Sequence, residues 1–296
     1  MESPPAPRVA PAPEPRSSGS FFRRRPAAVR TLQLTGPVLW LVLAYIGSLV
    51  VLLSRSLFQK DELSERLIRE PTLDNITTVL TGSVYRDAAV RSLGIALAVT
   101  VIDLLIAVPM AVFMAKVASP RLRRILVVAV LTPLWASYVV KAYAWRAILD
   151  PVGGVVKNVT GSSPGYGVTA TVLTLAYLWL PYMILPVYAG LDRLPNSLLE
   201  ASSDLGAKTN RTFRSIIVPM LVPSLLAGSI FTFSLTLGDY IAVKFVGGTS
   251  QTMGSIIAQY FVGGNDLLAA AYALVPVAIM GIYLVLVGRS GALENL

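Results

Sequence analysis

The feature that most restricts this chain is a set of six apolar stretches, each about long enough to cross a bilayer. A hydrocarbon core of roughly 30 Å takes about 20 apolar residues as helix. The stretches fall at 34–54, 92–115, 125–146, 168–191, 215–238 and 267–288. Four of them carry no charge, the second carries Asp103 alone, and the third is uncharged from Ile125 to Val140 and continues as helix through Tyr143 and Trp145. Prolines 109, 133, 181, 186, 219, 223 and 276 lie inside these runs. Such prolines are tolerated where neighbouring helices re-satisfy the backbone, and they predict kinked helices around a cavity. Charged residues make up only 14% of the chain, against about 25% in ordinary soluble domains. The expected fold is an all-α membrane protein of six kinked transmembrane helices.

Orientation follows from lysine and arginine, which are enriched on cytoplasmic flanks. With the N-terminus inside, fifteen basic and six acidic residues fall on the cytoplasmic side, ten and nine on the opposite side, and Asp103 in the membrane. Both termini are then cytoplasmic. The net charge of +9 is thereby explained as topology, and no nucleic-acid partner is expected. Residues 1–30, with seven prolines and little apolar content, read as a disordered cytoplasmic tail, and 291–296 as a second short tail. The run after Arg23–Arg25 exceeds a signal-peptide core of 7 to 15 residues and ends in no small-residue cleavage site, so it reads as a retained span. The external segment 55–91 alternates in charge, with Pro71–Asn75 placing a turn and a cap before Ile76; a helical hairpin on the membrane surface is expected.

The chain has no histidine and no cysteine. That removes the ordinary zinc, haem and iron–sulfur ligand sets and any histidine-activated nucleophile. No metal site and no catalytic residue is expected.

Between the fourth and fifth spans, the cytoplasmic segment 191–214 has an internal pattern. Leu194, Leu198, Ala201 and Leu205 recur at helical spacing, Pro195 suits a first turn, and Gly206 supplies a stop. A short amphipathic helix is predicted over 195–207, with a second from about Thr209 leading into span five. Composition alone would equally allow a helix resting in the lipid interface. Glu200-Ala201-Ser202, then Gly206, then Ile216, Val218 and Pro219 resembles the Glu-Ala-Ala loop of permease subunits of type I ABC importers. Ser202 replaces the second alanine of that pattern, and Val218 a leucine. The resemblance implies a MetI-like permease fold in a bacterial cytoplasmic membrane. It also implies a coupling helix, carried by Glu200, Ala201, Ser202, Asp204, Leu205, Gly206 and Ala207, that docks on a cytosolic ATPase. The implied partners are a second homologous permease, an ABC ATPase dimer and an extracytoplasmic solute-binding protein. ATP and Mg would sit on the ATPase, leaving this chain without a cofactor.

The resemblance covers about residues 34 to 290. Trp135 to Trp145 followed by Ile148-Leu149, and Leu237-Gly238-Asp239-Tyr240 followed by Gly247-Gly248, are similar to stretches of spermidine/putrescine permeases, and more to the first permease subunit than to its partner. Ammonium groups are bound by carboxylates and aromatic faces. Asp239, Tyr240, Trp135, Tyr138, Trp145 and Asp103 are therefore candidate pathway residues, with positions 135, 138 and 145 on one face of a continuous helix. The aromatic residues would equally suit an interfacial belt, and Lys141 and Arg146 run against a uniformly cation-attracting surface. Asp103 would face the cavity, pair with another subunit, or sit protonated beside a hydroxyl such as Thr100. A permease for another small solute is the alternative cargo reading. A secondary transporter predicts an internal repeat, which the two halves do not show. An intramembrane aspartyl protease needs a Gly-x-Gly-Asp box, and Thr236 stands at its first glycine.

Overall fold

The computed structural model describes residues 26–60, 67–68 and 70–289. The chain divides into two compact units between Val51 and Leu52. In the first, helix α1 (Pro26–Leu41) passes through a π turn at Val42–Ile46 into α2 (Gly47–Ser56), which ends in the second unit. Pro26 occupies the first helical position, where its missing N–H costs nothing. The tail assigned to residues 1–30 is corrected accordingly: 26–30 are already helix, and 1–25, like 290–296, lie outside the described residues. Leu34–Ser56 has the length and hydropathy of a span, and its apolar side chains, including Trp40 and Tyr45, are exposed.

The second unit begins with a two-residue antiparallel ribbon, β1 (Gln59–Lys60) opposite β2 (Leu67–Ile68), then helix α3 (Asp74–Thr81). Among the described residues, the helical hairpin expected at 55–91 is thus replaced by a ribbon, helix α3 and the first turns of the next helix. Helix α4 (Ser83–Val112) starts nine residues before its apolar run. Hydropathy marks only the stretch without charges, whereas helical hydrogen bonding continues through Arg86, Asp87 and Arg91, with Tyr85 and Ala88 buried.

The third span departs furthest from expectation. Helices α5 (Pro120–Trp135) and α6 (Tyr138–Ile148) are separate and bent by 96°. Ala136 and Ser137 between them are extended, with ψ of 142° and 132°. Pro133 sits just before the break, and the Lys141 ammonium reaches back to donate to its carbonyl at 3.0 Å. The remaining long helices follow the sequence closely: α8 (Val168–Asp192), α11 (Val218–Leu237) and α14 (Asp266–Arg289), with the short helices α7 (Val155–Thr160), α9 (Asn196–Asp204), α10 (Thr209–Thr212), α12 (Ile241–Val246) and α13 (Met253–Val262) between them. Among the described residues, five helices are long and apolar enough to cross a membrane, and the bent pair makes a sixth span if counted as one. Further π turns lie at Phe113–Val117 and Phe213–Ile217. Each of the three is within five residues of a helix proline, Pro37, Pro109 or Pro219. That is the local widening by which a helix accommodates a lost donor.

The core is a triple contact of α4, α8 and α11. Ile95, Val99, Ala107 and Ala111 of α4, continued by Met114 in the π turn that follows, pack with Leu175, Met183, Ile184 and Val187 of α8. Small residues let α8 and α11 approach closely: a Cβ on Gly228 would lie 3.2 Å from the Met183 Cα, and one on Gly190 only 2.1 Å from the Ser224 hydroxyl. Helix α14 joins through the Tyr283 hydroxyl, which donates to Ser229 at 2.8 Å, and a Phe233–Tyr283 stack.

Candidate functional sites at the two ends of the helices

Helix α11 separates two candidate sites, one around Glu200 and one around Asp239. At the first, α9 ends in a Schellman motif: Gly206 takes a left-handed φ of 72°, its N–H donates to the Ser203 carbonyl at 2.9 Å, and the Ala207 N–H donates to that of Ser202 at 3.0 Å. Glycine is required here because a Cβ disfavours left-handed backbone. Ser202 points inward, buried, and shares a 2.8 Å hydrogen bond with the Thr212 hydroxyl. The hydroxyl therefore ties α9 to α10, which the alanine of the family pattern would not do. Leu198, Ala201 and Leu205 are exposed, Leu205 to 88%, while Leu194 is buried. Glu200 and Asp204 are exposed on the same short helix. The apolar stripe thus presents a free face beside two carboxylates.

Basic residues that the sequence offered only as topology markers brace this end. The Lys116 ammonium donates to the Leu194 carbonyl at 2.7 Å and to Asn196 at 3.1 Å, holding the entry to α9. Arg123 donates to the Met114 and Ala115 carbonyls at 3.1 and 2.7 Å and pairs with Asp192 at 3.2 Å. One guanidinium thereby satisfies the final carbonyls of the second span and joins it to the end of α8.

At the other end, the Tyr138 hydroxyl donates to Asp239, and the second carboxylate oxygen of Asp239 accepts from the Ala242 N–H at 2.9 Å. Tyr138 stacks on Trp179 with centroids 5.6 Å apart, Trp179 meets Tyr182 edge-on at 5.8 Å, and Tyr182 lies 6.4 Å from Phe231. A carboxylate therefore stands at one end of a series of four rings. Arg146 fixes the far end of α12 by donating to the Phe245 carbonyl at 2.7 Å, and its guanidinium lies 4.8 Å from the centre of the Tyr166 ring. Helix α6 thus holds α12 at both ends. In the adjoining loop the Asp150 carboxyl is held below the usual carboxylate range, first by the Gly153 N–H, then by that of Val152 and by the Tyr166 hydroxyl.

Of the six expected pathway residues, only Tyr138 and Asp239 are brought into contact. Trp135 lies beyond the 96° break and is 90% exposed; Trp145 pairs instead with Tyr177 at 5.4 Å. The single aromatic face over 135, 138 and 145 required a continuous helix, which Ala136 and Ser137 interrupt. Tyr240 is exposed and lines a cavity of about 610 Å³ between α12 and α13. Asp103 is fully buried on the inner stripe of α4, with no protein partner for either oxygen among the described residues. Thr100, offered as its neighbour, donates to the Ala96 carbonyl instead. Trp179, Tyr182 and Phe231 were missed, since aromatic residues inside an uncharged run carry no separate signal. No cluster of three or more metal-capable side chains occurs among the described residues.

A multi-pass helical protein with packed spans, a helix free at one end and a carboxylate–aromatic array at the other belongs to the class of membrane permeases. The chain is a member of the family described as "Binding-protein-dependent transport system inner membrane component", which matches residues 97–291. It is 38% identical to the inner membrane ABC transporter permease protein YdcU of Escherichia coli (strain K12), over 93% of this chain and 94% of that one. It is 28% identical to the spermidine/putrescine transport system permease protein PotB of the same organism, over 72% and 78%. Among solved structures, a bacterial ABC transporter involved in import of the acidic polysaccharide alginate superposes with a TM-score of 0.66 at 15% identity, covering 93% and 96%. The MetNI methionine ABC transporter gives 0.55 at 18%, covering 68% and 92%. These two bear on the fold alone. The chain is a non-catalytic permease subunit of an ABC importer, and ATP hydrolysis belongs to a separate subunit.

Proposed function

We propose that this chain forms half of the translocation pathway of an ATP-driven polyamine importer, of the spermidine and putrescine class, in a bacterial cytoplasmic membrane. The observation that carries the cargo reading is the Asp239 carboxylate at the head of the Tyr138–Trp179–Tyr182–Phe231 ring series. A carboxylate and aromatic faces together suit an ammonium group on an aliphatic chain. Similarity to PotB supports the same class. The basic residues cluster at the Glu200 end, which supports placing that end and both termini in the cytoplasm. Helix α9 then serves as the coupling element: Leu198, Ala201 and Leu205 offer apolar contact, and Glu200 and Asp204 offer charge partners to an ATPase. A second homologous permease completes the pathway, and an extracytoplasmic binding protein delivers the cargo at the Asp239 end. ATP-driven closure of two ATPases would move two such permeases as rigid bodies and expose the pathway alternately. Asp103 lies on a packed helix face and takes no part in this reading of the pathway.

Reconstitution tests this directly. Proteoliposomes holding this chain with its partner permease, ATPase and binding protein are expected to take up radiolabelled spermidine or putrescine only with ATP. Uptake of an uncharged or anionic solute in place of polyamines would overturn the cargo, and transport by this chain without any ATPase would overturn the importer reading.

A further inference from the structure

The third span carries a charge that the pathway reading leaves without a task. Lys141 is half-buried on α6, and its ammonium donates to one neutral acceptor, the Pro133 carbonyl, at 3.0 Å. Asp239 is also half-buried, with one oxygen accepting from the Tyr138 hydroxyl and the other from the Ala242 N–H. Among the described residues neither has an ion-pair partner. Unpaired charges in membrane-spanning helices are costly and mark function. A carboxylate offers about four acceptor sites, so Asp239 keeps room for a cation.

Both charges are drawn to the same end of α6. Tyr138, which holds Asp239, is the first residue of that helix, and Lys141 lies one turn further on the same side. Helical side chains lean toward the N-terminus, so the ammonium is carried back past Tyr138 to the break. Its two possible acceptors belong to different bodies. Pro133 is on α5, across the extended Ala136–Ser137 joint. Asp239 belongs with α6, because Tyr138 holds it and Arg146 holds the far end of α12. An unbroken helix would satisfy the Pro133 carbonyl with the Ser137 N–H; at a bend of 96° the Lys141 ammonium takes that carbonyl instead. Reducing the bend therefore returns the carbonyl to the backbone and frees the ammonium, and the carboxylate beside the same turn is then the stronger acceptor.

We propose that Lys141 is the cation that releases cargo from Asp239. In the bent arrangement the ammonium is held on Pro133 and Asp239 is open to a cargo ammonium. As the bend relaxes during the ATP-driven cycle, Lys141 takes the carboxylate and the cargo leaves. A cation tethered to the chain competes at high effective concentration, so it displaces a cargo ammonium without any chemical change at Asp239. The inference rests on the polyamine reading given under Proposed function, and it explains why a fixed positive charge stands beside the carboxylate of a cation pathway.

The test uses the complete permease–ATPase complex with its binding protein. In proteoliposomes, Lys141→Met is expected to lower both the maximal rate of radiolabelled spermidine uptake and its KM, each about tenfold, the size of one charge-assisted contact. Slower release lowers the two together. Lys141→Arg keeps a cation and is expected to keep the parental values. After an ATP cycle and gel filtration, the solubilised Lys141→Met complex should retain labelled spermidine that the parent sheds, and adding Asp239→Asn should abolish that retention. A lower maximal rate at parental KM with no retained cargo would overturn the proposal and leave Lys141 as a brace of the joint. Parental kinetics in Lys141→Met would overturn it as well. If Lys141→Met does not assemble, Lys141→Gln carries the same comparison. The cargo reading fails separately, in the parent complex itself, if no ATP-dependent spermidine uptake is found.

Discussion

The two ends of α11 are built in different ways. Around Glu200 the contacts that shape the end of α9 join residues close in sequence, Gly206 with Ser203, Ala207 with Ser202, and Ser202 with Thr212 ten positions later, while Lys116 and Arg123 brace its entry from 78 and 69 positions away. Around Asp239 the contacts cross the chain: Tyr138 reaches Asp239 over 101 positions, Arg146 reaches Phe245 over 99, and Ser92 meets Met253 over 161. The first end is a local motif whose turn is closed by its own backbone and whose entry is tied to the bundle by Lys116. The second is a junction of α6, α8, α11 and α12, whose geometry changes whenever any of these shifts. A lever suits the first kind of construction and a gate the second.

The largest expected effect falls at the lever. Glu200→Arg should reduce substrate-stimulated ATP hydrolysis to the unstimulated level while membrane insertion, read by fractionation, stays intact. Gly206→Val should act similarly by forcing a branched residue into left-handed backbone, at a local cost of about 1–2 kcal/mol. Stimulated hydrolysis that persists in both variants would deny α9 its coupling role.

The next effect lies at the gate. Asp239→Asn removes a charge-assisted contact worth roughly 1.5–3 kcal/mol, so polyamine uptake should fall about tenfold or more. Tyr138→Phe should cost less, since the ring and its stack on Trp179 remain. If Asp239→Asn instead uncouples hydrolysis and Glu200→Arg only weakens uptake, the two ends have been assigned the wrong way round.

Smaller effects sharpen the contrast. Ser202→Ala should lower stability by about 1 kcal/mol, and a cycle with Thr212→Val should assign that loss to their shared hydrogen bond. Near-additive single losses would show that the tie between α9 and α10 lies elsewhere. The weakest effect concerns pH. Asp150 has its folded pKa depressed by the Gly153 and Val152 N–H groups and Tyr166, so its contribution is present above the ordinary carboxylate value near 4 and is lost as pH falls through the folded value. Thermal unfolding in detergent between neutral and acid pH should show a shallower acid limb for Asp150→Asn than for the parent; identical limbs would remove this role.

Legibility divides along the same line. The spans at 168–191, 215–238 and 267–288 were readable because a run of uncharged apolar residues admits only helix in a membrane, and the structure places helices at Val168–Asp192, Val218–Leu237 and Asp266–Arg289. The α9 stripe, its glycine stop and the helix from Thr209 were readable for a related reason, since helical periodicity and a glycine stop are local properties. The continuous third span was misjudged: hydropathy is blind to the extended Ala136–Ser137 joint, and Lys141 stabilises that joint by reaching a carbonyl eight residues back. Trp179, Tyr182 and Phe231 were unreadable as a set because their meaning comes from adjacency to Tyr138 and Asp239.

By itself, the sequence determined that this chain is a six-run helical membrane protein, which charges mark its ends, and that one loop carries a coupling-type pattern. All three follow from local chemistry: desolvation of the backbone, the cost of burying charge, and helical period. Only the tertiary structure decided which aromatic residues meet Asp239, that Asp103 is enclosed among packed helices, and that a cavity carrying Lys244 lies beside the carboxylate. Those outcomes depend on how α4, α8 and α11 pack through Gly190 and Gly228, and such packing is settled by contacts between distant residues, which no local pattern records.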